Sequence, residues 1–102
     1  MSKQYTVAVV GATGAVGQEM VKMLESRKFP VKSLRLLASE RSVGKKIRYN
    51  GKDVDVLTLT PHQAKGLDIA LFSAGATISK EYAPIFAQEN CFVIDNSSAW
   101  RM

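Results

Sequence analysis

The chain has 102 residues, 46% of them hydrophobic and 23% charged, with a formal net charge of +5 and a pI near 9.6. That length holds one small domain with a core, not two; no apolar run approaches the ~18 residues of a membrane span, and a single cysteine excludes an internal disulfide. The opening Met1-Ser-Lys-Gln-Tyr5 carries no signal-peptide core, so the expected setting is a reducing cytoplasm with no membrane partner.

Residues 4–10 read as a first strand, apolar and β-branched. The strand stops at Gly11, and Gly14 and Gly17 follow at three-residue spacing. Residues 15–27 then read as a helix, with Val16, Met20, Met23 and Leu24 on one face. Lys28-Phe-Pro30 ends that helix, and residues 34–38 form a second strand, apolar as a buried parallel strand is. Residues 42–51 are polar, with a turn at Asn50-Gly51 between short strand segments. A third main strand covers 54–59, one helical turn 61–65 and a fourth strand 69–72. Residues 79–89 are helical with Pro84 inside, which predicts a kink or a late start. Residues 92–94 make the fifth strand.

Strands alternating with helices predict an α/β fold, a Rossmann-like doubly wound and mostly parallel sheet. In such sheets ligands sit beyond the C-terminal ends of the strands. That rule selects the segments 11–17, 39–42, 73–75 and 95–101. Strand, glycine-rich turn and helix is the arrangement that holds a pyrophosphate on free N–H groups at the positive end of a helix dipole. Gly11 turns the chain, Gly14 lets a phosphate approach the backbone, and Gly17 lets the helix pack on the strand. The spacing is G-x-x-G-x-x-G, and its place between a first strand and a helix gives it weight.

The second strand exits through Ser39-Glu-Arg-Ser42. An acidic residue there would bind a ribose 2′-hydroxyl, whereas a guanidinium suits a phosphate. Arg41 with the hydroxyls of Ser39 and Ser42 favours a 2′-phosphate, hence NADP, and Glu40 is then expected to point to solvent. Arg41, Lys45, Lys46 and Arg48 form a cationic cluster that reads equally as a solvated loop or as part of an anion site. No helix-turn-helix, zinc-ligand or aromatic-basic pattern points to nucleic acid.

These pieces together resemble the aspartate-semialdehyde dehydrogenases. The resemblance rests on Gly11-Ala-Thr-Gly-Ala-Val-Gly17, Leu37-Ala-Ser-Glu-Arg-Ser42, Ala70-Leu-Phe-Ser-Ala-Gly75 with Ser79-Lys-Glu-Tyr-Ala-Pro84, and Val93-Ile-Asp-Asn-Ser-Ser-Ala-Trp-Arg-Met102. They run in the family's order over the whole chain, which matches about the first third of a family member. The resemblance implies reduction of L-aspartyl-4-phosphate by NADPH to L-aspartate 4-semialdehyde and phosphate. That step belongs to lysine, threonine, methionine and diaminopimelate biosynthesis, in an enzyme that is a homodimer or homotetramer. It further implies that Thr13, Gly14, Ala15 and Val16 contact the cofactor phosphates, with Gly11 shaping the turn. Arg41, Ser42 and Ser39 would hold the 2′-phosphate. Ser73, Ala74 and Gly75 would lie along the cofactor, Asn96 and Ser97 near the nicotinamide, and Arg101 on the substrate phosphate.

The family's nucleophilic cysteine, its histidine acid/base and its dimerisation domain correspond to sequence beyond residue 102. Residues 1–102 are therefore expected to be an NADP-binding domain fragment without catalytic residues, its sheet incomplete at the C-terminal end and exposing an edge. Cys91, ahead of the fifth strand, reads as a buried small hydrophobe. His62 reads as a loop histidine with no ligand spacing around it, Asp95 as a turn organiser, and Trp100 as a gap filler or a cover over the cofactor. The competing readings are a stand-alone non-catalytic NADP-binding module and the start of a related acyl-phosphate reductase such as N-acetyl-γ-glutamyl-phosphate reductase.

Overall fold

The computed structural model describes residues 4–73 and 76–95. Its elements are β1 (Tyr5–Val10), α1 (Ala15–Ser26), β2 (Val31–Ala38), β3 (Lys46–Tyr49), β4 (Lys52–Thr58), β5 (Ile69–Phe72), α2 (Ala76–Gln88) and β6 (Phe92–Asp95), with 3-10 turns at Glu40–Ser42 and Pro61–Ala64. The strands form one sheet in the order β3-β4-β2-β1-β5-β6. All neighbours are parallel except the β3–β4 hairpin. The doubly wound α/β expectation is met.

β1 explains why the sheet is covered on both faces. Val7 and Val9 join one core with Met20, Val21, Leu24 and Leu36 under α1. Ala8 and Val10 join the other with Leu37, Ala64, Phe72 and Phe86 under α2. All four β1 residues are fully buried, the pattern of a central parallel strand. Phe72 and Phe86 meet edge to face at 5.4 Å, so sheet and α2 lock by shape as well as by area.

Three sequence expectations shift. The buried face of α1 is Gly17, Met20, Val21 and Leu24, while Val16 and Met23 are 49% and 43% exposed. The cause is Gly17: a Cβ there would lie 2.1 Å from the Gly11 carbonyl oxygen, so the helix turns its bare backbone to the strand. β2 begins three residues before the apolar run, because Tyr5 pairs with Val31 while Lys32 and Ser33 remain exposed. α2 starts at Ala76 and continues past Pro84 rather than starting late. Pro84 is exposed, so its ring, which costs the helix one backbone N–H bond, lies on the solvent side of α2. The Asn50-Gly51 turn is as expected, with both residues in the left-handed region (φ 51° and 80°) that a two-residue hairpin requires. Glu25 of α1 accepts the Asn50 N–H at 2.6 Å and ties that hairpin to the helix.

Candidate functional site

The strand order reverses at β1: β2 lies on one side and β5 on the other. A cleft of about 540 Å³ opens there, at the C-terminal ends of the parallel strands. It is lined by Val10 and Gly11 after β1, Ala38, Ser39 and Glu40 after β2, Thr58 and Leu59 after β4, and Ser73 after β5, with Ile78, Glu81 and Tyr82 of α2 closing one side. A crevice of this size at a topological switch point is where ligands bind in open α/β sheets.

The glycine turn is built from backbone bonds. Gly11 has φ 87°, and its N–H and that of Ala12 both donate to the Leu37 carbonyl, at 2.8 and 3.2 Å. Gly14 donates to the Gly11 carbonyl at 3.1 Å, and the Gln18 amide donates to the Thr13 carbonyl at 2.9 Å. Gly14 is the N-cap of α1 and no side chain caps it. The first N–H groups of the helix, those of Ala15 and Val16, therefore have no capping side chain, and they carry the positive end of the dipole.

Gly14 has an ordinary φ of −76°. A Cβ on it would meet only the Gly11 carbonyl oxygen, at a comfortable 3.5 Å. Neither backbone conformation nor packing among the described residues requires glycine there. A bare Cα at this edge of the cleft leaves room for a group outside the chain to approach. Gly17 is the opposite case, where the chain's own backbone fills the space. The cleft thus fits a dinucleotide pyrophosphate by the test of a cradle that a side chain would fill.

The turn after β2 is joined to the glycine turn. The Thr13 and Ser42 hydroxyls lie 3.1 Å apart, and Ser42 N–H donates to the Ser39 carbonyl at 2.9 Å. Ser42 is buried and engaged with Thr13, not presented freely to the cleft. Ser39 is exposed at the rim. Arg41 is exposed, makes no ion pair among the described residues, and is not among the lining residues, whereas Glu40 is. Glu40, expected to point to solvent, is exposed and borders the cleft. In a 3-10 turn successive side chains project about 120° apart, so Glu40 and Arg41 cannot share one direction.

Ser73 lines the cleft beside the glycine turn, its hydroxyl donating to the Val10 and Gly11 carbonyls at 3.0 and 3.3 Å. Ala74, Gly75, Asn96, Ser97, Trp100 and Arg101 lie outside the described residues. Lys46 and Arg48 leave the proposed anion cluster: they face Asp55 and Asp53 across the hairpin at 3.3 and 4.0 Å. Such exposed pairs contribute little to stability, and neither cation lines the cleft.

Cys91 is buried just before β6, at the opposite end of the sheet from the cleft. Burial, with Asp68 adding to it, pushes its thiol up to about 11. That is the reverse of a nucleophile's shift. Asp68 itself accepts the Thr6 N–H at 2.8 Å and holds the lower end of the sheet. His62 is exposed in its 3-10 turn, and no metal-ligand cluster occurs among the described residues.

Sequence reasoning missed Thr58 and Leu59, and Ile78, Glu81 and Tyr82. Both sets had a signal. Thr58 and Leu59 follow a strand whose C-terminal end obeys the same rule as the others. Positions 78, 81 and 82 share one face of a helix by their spacing.

Comparison with known proteins agrees with this geometry. Residues 6–102 match the family model described as semialdehyde dehydrogenase, NAD binding domain. The chain is 58% identical over 99 residues to the aspartate-semialdehyde dehydrogenase of Aquifex aeolicus, covering 96% of this chain and 29% of that protein. It is 48% identical over 102 residues to that of Bacillus subtilis, covering 30% of it. The fold superposes on aspartate semialdehyde dehydrogenase II of Vibrio cholerae, complexed with ASA, with a TM-score of 0.90 at 50% identity, over 97% of this chain and 32% of that one. The chain thus spans about 30% of the length of the relatives it matches. A glycine turn, an uncapped helix start and a cleft at the switch point, matched over residues 6–102, place this chain in the semialdehyde dehydrogenase NAD-binding domain family.

Proposed function

We infer that residues 1–102 bind the dinucleotide of an NADP-dependent aspartate-semialdehyde dehydrogenase, a longer protein that reduces L-aspartyl-4-phosphate to L-aspartate 4-semialdehyde and phosphate. The observation that carries the reading is Gly14: a glycine that the described residues do not need, at an uncapped helix start, on the rim of the switch-point cleft. The names of the relatives supply the reaction, and the site supplies the cofactor's seat.

The N–H groups of Ala15 and Val16 would take the pyrophosphate, with Gly11 and Gly14 allowing its approach and Thr13 positioned by Ser42. Leu59, Ile78 and Tyr82 give the adenine an apolar wall. Ser73, and beyond the described residues Ala74, Gly75, Asn96 and Ser97, would follow the cofactor toward the nicotinamide. Arg41 would turn inward to meet a 2′-phosphate, for which a permanent cation with forked donors is suited. Arg101 would grip the phosphate of the substrate. A reduced nicotinamide, when bound, supplies the hydride. The chemistry on the acyl group needs a nucleophile, and none of the described residues is poised as one. The protein that contains this domain would be a cytoplasmic homodimer or homotetramer serving lysine, threonine, methionine and diaminopimelate synthesis.

Calorimetric titration of the purified chain with NADPH and NADH tests the reading. Saturable binding of NADPH, lost on Gly14→Val while the fold survives by circular dichroism, supports it. A folded chain that binds neither dinucleotide overturns it.

A further inference from the structure

We propose that Arg35 is a positioning residue of the cleft: its guanidinium holds the connection between β4 and β5, and through it Leu59 of the cleft wall. The proposal rests on the dinucleotide reading above and concerns how the wall that faces the adenine is kept in place.

Arg35 lies in the middle of β2, a strand with β1 on one side and β4 on the other, and pairs with Ala8. The next two residues, Leu36 and Leu37, are fully buried, and Arg35 itself is half-buried. Side chains alternate along a strand, so Arg35 shares a face with Leu37, the face that packs under α2. A permanent cation on an apolar sheet face is costly unless its donors are satisfied. One terminal nitrogen donates to the carbonyls of Gln63 and Lys65, both at 2.7 Å, the short distance of charge-assisted bonds. Those oxygens sit at the end of the 3-10 turn Pro61–Ala64, where backbone carbonyls lack helical partners. A Cβ at Gly66 would stand 3.5 Å from the other terminal nitrogen, so the guanidinium lies along the turn. An apolar residue would satisfy the sheet face alone; what arginine adds is the grip on the turn.

That grip reaches the cleft through a stiff link. Leu59 lines the cleft with Ile78 and Tyr82, and all three border the core under α2 to which Ala64 belongs. Only Thr60 separates Leu59 from the 3-10 turn. Pro61 fixes its own φ and confines Thr60 to extended backbone, observed at φ −141° and ψ 158°. The turn and Leu59 therefore move together. The Leu59 N–H donates to the Ala38 carbonyl at 2.8 Å, which anchors one end of the segment, and Arg35 anchors the other.

The test is calorimetric titration with NADPH of the original chain, Arg35→Met, Arg35→Lys, Leu59→Ala and the double variant Arg35→Met with Leu59→Ala, each at a temperature where circular dichroism shows it folded. Arg35→Met keeps a long side chain without its donors and is expected to lower NADPH affinity about fivefold, the scale of one lost hydrogen bond. Arg35→Lys, whose ammonium can still donate to the turn, recovers most of that loss. In the Leu59→Ala background Arg35→Met lowers affinity less than about twofold, because the side chain it positions is gone. A role in stability alone would not make the two substitutions interact in binding. If Arg35→Met does not fold, Arg35→Gln carries the same cycle. Affinity within about twofold of the original, or the same loss with and without Leu59, overturns the role of Arg35 and leaves the dinucleotide reading standing. An original chain that binds no dinucleotide overturns both.

Discussion

The two turns that meet at the mouth of the cleft are made of different materials. The 11–17 turn holds its shape through backbone bonds and through the contact of Gly17 with Gly11 and Ala12, and what it offers is main-chain N–H. The 39–42 turn offers side chains on an exposed rim, and its two backbone bonds are joined by one hydroxyl pair reaching back to Thr13. A backbone site is arranged before the ligand comes and is indifferent to anything but an anion. A side-chain site chooses between ligands, and single substitutions can change its choice. Affinity for a pyrophosphate and preference among dinucleotides are therefore separable in this fold.

The sharpest way to break the first turn is Gly17→Ala. The added Cβ would lie 2.1 Å from the Gly11 oxygen and 2.8 Å from the Ala12 Cα, both backbone atoms that cannot step aside. Urea denaturation is expected to show a loss of about 3 kcal/mol. A variant as stable as the original would mean that helix and strand are not in the close contact described. The second turn should respond in binding, not stability. Arg41→Ala is expected to weaken NADPH roughly 10- to 100-fold and NADH less than about twofold, with the urea midpoint unchanged. Equal losses for the two cofactors would remove Arg41 from the 2′-phosphate.

Gly14→Ala separates the two properties at one residue. The entropy that alanine removes from the unfolded chain roughly offsets its poorer capping, so stability should change by less than about 0.5 kcal/mol. Dinucleotide affinity should fall more than about tenfold, because the Cβ occupies the phosphate's approach. Loss of stability without loss of binding would reverse the assignment of Gly14.

The contrast also explains what could be read from the amino acids alone. The 11–17 turn was legible because Gly11 and Gly17 record backbone requirements directly. Even so, which face of α1 is buried was misjudged by ranking Val16 and Met23 on hydrophobicity. Gly17, invisible to such a ranking, sets the face by contact. The hairpin was legible for the same reason, through Asn50-Gly51. The 39–42 turn was legible in composition only. Ser39, Glu40, Arg41 and Ser42 name the competing groups, but which of them faces the cleft depends on the 3-10 rotation and on Thr13, 29 positions from Ser42. The cationic run failed in the same way, since Lys46 and Arg48 are engaged by cross-strand partners that only the register reveals.

The smallest expected effect tests whether the two turns are independent at all. Thr13 and Ser42 are the side-chain bond between them, 3.1 Å apart and partly buried. A double-mutant cycle with Thr13→Val and Ser42→Ala, read by urea denaturation, should give a coupling of about 0.5–1 kcal/mol. A coupling indistinguishable from zero would show that the turn is held by the backbone bonds of Ser42 and Val43 alone, and that the second turn is as self-contained as the first.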